Sequence, residues 1–142
     1  MLNDIFYSLG RSDALDLRAR ANGMDGTAII REEHKIPMWD PNRDYTDWKV
    51  GSPIKDQGQV FTLLQPHNAS FYPNRPAELP ALWSVRHTKD PLKAKPWFEP
   101  NGLSGAYMKD ECYRKNDLIV LRCKSDNTVY DADALPSAWA VV

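Results

Sequence analysis

Residues 45–83 read YTDWKVGSPIKDQGQVFTLLQPHNASFYPNRPAELPALW, and residues 107–139 read YMKDECYRKNDLIVLRCKSDNTVYDADALPSAW. Both stretches run aromatic, hairpin, polar turn, proline, closing tryptophan. In the first, β-prone residues at 52–55 and 59–65 flank Asp56-Gln57-Gly58, a composition suited to a hairpin turn. In the second, 107–113 and 118–123 flank Arg114-Lys-Asn-Asp117. The hairpins align at an offset of 58 (Phe61 with Ile119, Leu63 with Leu121), and Trp83 and Trp139 stand 56 apart. A two-residue difference is absorbed by loops. The reading is two copies of one small antiparallel β unit, each too small to bury much alone. The fold class expected is mainly β, with a short helical or extended segment in front.

Four segments follow. Residues 1–36 form an N-terminal segment, 37–88 the first β unit, 89–106 a Pro-rich connector and 107–142 the second β unit. In the first segment Ser12 can cap a helix over 13–21, ended by Asn22-Gly23. AIIREEH (28–34) is a second short helix or an extended arm closed by Pro37. Such short helices need a partner surface, and Ile5, Phe6, Leu9, Leu15, Leu17, Ile29, Ile30 and Ile36 are too many apolar groups to leave in water. Because each β unit closes with its own tryptophan, the segment is expected to dock on another chain, a second copy or a larger protein. Residues 66–106 hold seven of the eleven prolines and read as ordered loop, a length that usually signals function.

The chain has 142 residues, 18 basic and 19 acidic side chains and a net charge of −1. A dedicated nucleic-acid or anionic-membrane binder needs an electrostatic excess that this balance lacks. Mean hydropathy is −0.56, and the sequence has no apolar run of membrane-spanning length. No signal-peptide pattern opens residues 1–11. Cys112 and Cys123 flank the second hairpin, but simple pairing about the turn sets Cys112 opposite Ile119. Two free thiols are therefore expected.

Catalytic and metal chemistry find little support. Glu32-Glu33-His34 reads as a solvated helix end, and His67 and His87 belong to no metal-ligand spacing. Asp131 and Asp133 precede Pro136, where a turn uses Asp for backbone hydrogen bonds. Lys89, Lys93 and Lys95 beside Trp97 and Phe98 imitate a basic-aromatic surface, but Asp90 and Glu99 dilute it. No enzyme activity, metal or cofactor is expected. Tyr45, Trp83, Tyr107 and Trp139, which open and close the repeats, are assigned to the core. Phe71, Tyr72, Trp97, Phe98 and Tyr130 stand in loops beside Pro, Asn and Asp. Planar rings among short polar groups suit stacking on a pyranose, and they suit anchors of a protein interface equally well.

The lines DYTDWKVGSPIKDQGQVFTLLQPHNASFYPNRPAELPALW and GAYMKDECYRKNDLIVLRCKSDNTVYDADALPSAW resemble the small chitin-binding carbohydrate-binding modules of families five and twelve. LLQPHNAS and PALW are similar to the tandem copies found in tail-associated proteins of bacteriophages. The resemblance covers residues 39–142. It implies a compact antiparallel β unit per repeat and a non-catalytic attachment role in a phage particle, made in the host cytoplasm. The partners it implies are other virion proteins, reached through the N-terminal segment, and a host-surface polysaccharide. A homo-oligomer is expected, since virion proteins act in symmetric copies. Family members carry adjacent aromatics after the second strand, where this chain has Leu63-Leu64-Gln65 and Leu121-Arg122-Cys123. A glycan would instead meet Phe71, Tyr72, Trp97 and Tyr130. The alternatives are a purely structural virion protein without sugar binding and, third, a small glycan-active enzyme.

Overall fold

A computed structural model describes residues 12–142. It contains two small sheets preceded by a short helical layer, with helical turns and strands each taking about a quarter of the chain. Helical content is thus higher than the mainly β expectation, because Pro and Asn turns condense into 3-10 turns at Ala69–Phe71, Pro76–Glu78, Pro91–Lys93 and Pro136–Ala138.

The first sheet is β1 (Pro53–Asp56), β2 (Gln59–Leu63) and β3 (Trp83–Arg86), antiparallel in that order. The second is β4 (Lys95–Pro96), β5 (Cys112–Arg114), β6 (Val120–Cys123) and β7 (Trp139–Val141). Its β4–β5 pairing is parallel, unlike the wholly antiparallel unit expected. The β1–β2 turn is the two-residue kind that Gln57-Gly58 permits. Both residues are left-handed, at φ 50° and 78°, which matches the twist of the strands.

The two units share one hydrogen-bond scheme. Leu63 N donates to Ser52 O and Cys123 N to Glu111 O; Gly51 N donates to Leu63 O and Asp110 N to Cys123 O. Tyr45 N reaches His67 O, and Tyr107 N reaches Thr128 O. Each tyrosine hydroxyl accepts from an arm amide, Asp40 N at 2.9 Å and Phe98 N at 3.1 Å. Each tyrosine ring also meets its closing tryptophan edge-on, Tyr45–Trp83 at 5.2 Å and Tyr107–Trp139 at 5.4 Å. Tyr45, Trp83, Tyr107 and Trp139 are all buried.

Two details of the repeat need correction. Leu121, not Ile119, is the counterpart of Phe61, since each pairs with the closing-strand valine, Val141 or Val85. One residue of this two-residue slip comes from the second turn, which is one residue longer, and Asn116 Oδ1 gathers Leu118 N and Ile119 N to close it. Cys112 therefore lies opposite Arg122 rather than Ile119, and both cysteines are free and buried. Residues 89–106 are likewise more than a connector. They supply β4, the counterpart of the 37–39 arm that runs parallel to β1 through Met38 and Lys55.

The N-terminal layer differs most from expectation. A helix, α1, covers 12–20, a 3-10 turn covers Ala21–Gly23, and α2 runs over Gly26–Arg31 with Asp25 Oδ1 capping Ala28 N at 2.8 Å. Leu17, Ala21, Ile29, Ile30 and Ile36 bury themselves against Val60 of β2. These residues complete a core within their own chain, so their burial does not require the second chain expected from the sequence. β2 points Phe61 and Leu63 into the unit core and Val60 into the helical layer, so it is buried along its whole length. Ile5, Phe6 and Leu9 lie outside the described residues. Glu32 and Glu33, read as a solvated end, are pairing hubs. Glu32 joins Arg20 and Lys35, which hold its carboxyl down to about 2, and Glu33 pairs with Lys95 and Lys93.

Candidate functional site

The arm carrying β4 serves two units at once. Pro96 O accepts from Gln59 Nε2 of β2 at 2.7 Å, and the Phe98 ring stands edge-on to Phe61 with centroids 6.0 Å apart. Between these contacts lies Trp97. Its indole is stacked flat on Tyr107, 4.9 Å away with planes 9° apart, and its Nε1–H donates to Glu99 Oε2 at 2.8 Å. Two hydrogen-bonded or stacked supports fix the ring before any ligand arrives.

Trp97, Phe98 and Glu99 form one wall of a cleft of about 250 Å³. The other wall is the β1–β2 turn, with Asp56, Gln57, Gln59 and Phe61, and Ala77 closes it. Asp56 Oδ1 accepts from Arg75 Nη1 at 2.8 Å, while its Oδ2 is buried with no donor among the described residues. Burial raises the Asp56 carboxyl pKa against the opposing pull of Arg75. Gln59 spends its amide N–H on Pro96 O, and its Oε1 is likewise buried without a donor. Unmet acceptors are costly when buried. Among the described residues, Asp56 and Glu99 line the cleft and no cationic side chain does.

Of the four residues chosen for sugar stacking, only Trp97 reaches this cleft. Phe71 (78% exposed) and Tyr72 (40%) sit on and just after the 3-10 turn that Asn68 caps, and Tyr72 leans edge-on against His67 at 5.5 Å. Tyr130 (59% exposed) lies on the second unit, where its carbonyl accepts from Trp139 Nε1 at 2.9 Å. None of these three lines the cleft. Sequence reading missed Asp56, Gln59 and Glu99, the first as a turn residue and the last as a diluting charge. An Asp at a hairpin end facing a Gln across the pair was their only local signal.

Among the described residues no histidine lines the cleft, and no group of three His, Cys, Asp or Glu side chains could hold a metal ion. Also among the described residues, no helix is long and apolar enough to cross a membrane. Compared with known proteins, the chain matches no family model and no curated protein.

Proposed function

We propose that the chain is a non-catalytic carbohydrate-binding module of a bacteriophage particle, holding a neutral saccharide of a host-surface polysaccharide between Trp97 and the β1–β2 turn. One observation carries the reading: a pre-supported indole shares a cleft with Asp56, Gln59 and Glu99, a wall dominated by hydrogen-bond acceptors. A sugar offers an apolar ring face to the first and hydroxyl donors to the second. The virion setting, and other virion proteins as partners, rest on the resemblance of the two repeats alone.

A glycan array, followed by titration of the best ligand, tests this. Glu99→Ala should weaken binding by roughly tenfold, the loss of about one charge-assisted hydrogen bond. Trp97→Ala should abolish it. Tyr72→Ala and Tyr130→Ala should leave it unchanged. A parent chain that binds no glycan would sink the proposal and favour a purely structural virion role.

A further inference from the structure

A second cavity, of about 260 Å³, lies where three parts of the chain meet. Gly26 of α2 forms one side, Ser84 to His87 of β3 and its end another, and residues between Leu103 and Glu111 the third. Its two charged linings have opposite signs. Arg86 gives Nη2 to Met24 O at 3.0 Å, but its Nε–H is buried with no acceptor among the described residues. Glu111 accepts from Met108 N through Oε1 at 2.7 Å, and burial raises the pKa of its carboxyl. Lys89, Arg86 and Asp25 are the charged groups that bear on Glu111, yet no ion pair joins it to Arg86 among the described residues. Backbone anchors at Met24 and Met108 hold the guanidinium and the carboxyl on separate walls.

We propose that this cavity binds a small α-amino acid, its carboxylate taken by Arg86 and its ammonium by Glu111. Partly desolvated opposite charges that do not touch each other are stabilised most by a ligand that brings both complementary charges. The planar fork of a guanidinium matches the two oxygens of a carboxylate. Val85, Leu103, Ala106 and Met108 leave apolar room for a short side chain. The volume is below the roughly 300 Å³ at which drug-sized ligand pockets begin, which restricts the ligand to a small molecule.

The test uses amide resonances of the full chain, titrated separately with glycine, L-alanine and L-serine, and with acetate and methylammonium as half-ligands. At least one amino acid should shift amides at 84–87 and 103–111 saturably and bind roughly tenfold more tightly than either half-ligand. Glu111→Gln should remove the advantage of the amino acid over acetate, and Arg86→Gln should remove binding of both. No saturable shift with any of the three amino acids, or affinities unchanged in Glu111→Gln, overturns the proposal. Should Arg86→Gln lose its folded spectrum, Glu111→Gln decides the matter alone.

Discussion

The His87 ring lies flat on the Tyr107 ring, centroids 3.7 Å apart and planes within 8°, and donates its Nε2–H to Gly105 O at 2.7 Å. This pair fastens the end of the first sheet to the opening tyrosine of the second unit.

The fastening is sensitive to acid. Burial holds the His87 imidazole down to about 4, against an ordinary value of 6.5. The unfolded chain therefore binds a proton that the folded chain refuses between these values. The stabilisation is full above pH 6.5 and is lost as pH falls towards 4, a difference of about 3 kcal/mol. Asp56 and Glu111, whose carboxyls are raised by burial, act in the opposite sense. Comparison with His87→Phe isolates the imidazole. The parent Tm should fall by about 10 °C more than that of the variant between pH 6.5 and 4. Parallel pH profiles would show that His87 is not the titrating group.

Trp83→Ala and Trp139→Ala should each destabilise by about 3–5 kcal/mol in chemical denaturation. Both indoles are buried against the tyrosine of their own unit. A variant that unfolds at the parent midpoint would remove that tryptophan from the core.

Gly51 and Asp110 hold the same place in the two units, both left-handed, at φ 91° and 74°. A Cβ on Gly51 would also meet the Asn22 backbone, 2.7 Å from its Cα. Gly51→Ala should thus cost about 2 kcal/mol or more, combining backbone strain with overpacking against the 3-10 turn that follows α1. Asp110→Gly relieves strain and should be neutral or stabilising by up to about 1 kcal/mol. Thermal melts of the two variants check the contrast, and equal losses would refute it.

Deleting residues 1–36 should yield an aggregation-prone fragment. It uncovers Val60 of β2 and strips Lys93 and Lys95 of Glu33. Size-exclusion chromatography with dye binding measures this. A soluble fragment melting like the parent would show that the helical layer contributes no core.

The repeat was legible because its anchors are chemically distinctive: Tyr45 and Tyr107 open the units, PALW and PSAW close them, and Gln57-Gly58 marks a turn. Register was not legible, since a one-residue turn extension and an Asp standing where the other unit has Gly leave no local trace. The arms were invisible for a different reason. Two or three residues in parallel pairing, one of them proline, carry no periodicity. The partner of the helical layer was misread because an amphipathic face announces burial without naming what covers it. The cleft escaped for the same reason: Asp56 and Glu99 are distant in sequence and meet only through the arm.

The double-sided enclosure of β2 also sets a clock for solvent exchange. Edge strands β4 and β7 shed their partners by local fraying, so their amides should exchange early. For the amides of Val60 to Leu63, no local opening reaches water without parting the helical layer from one face or the aromatic core from the other. These few hydrogens therefore report the global unfolding free energy of the first unit and its helical layer together, and the chain carries its own internal standard of stability.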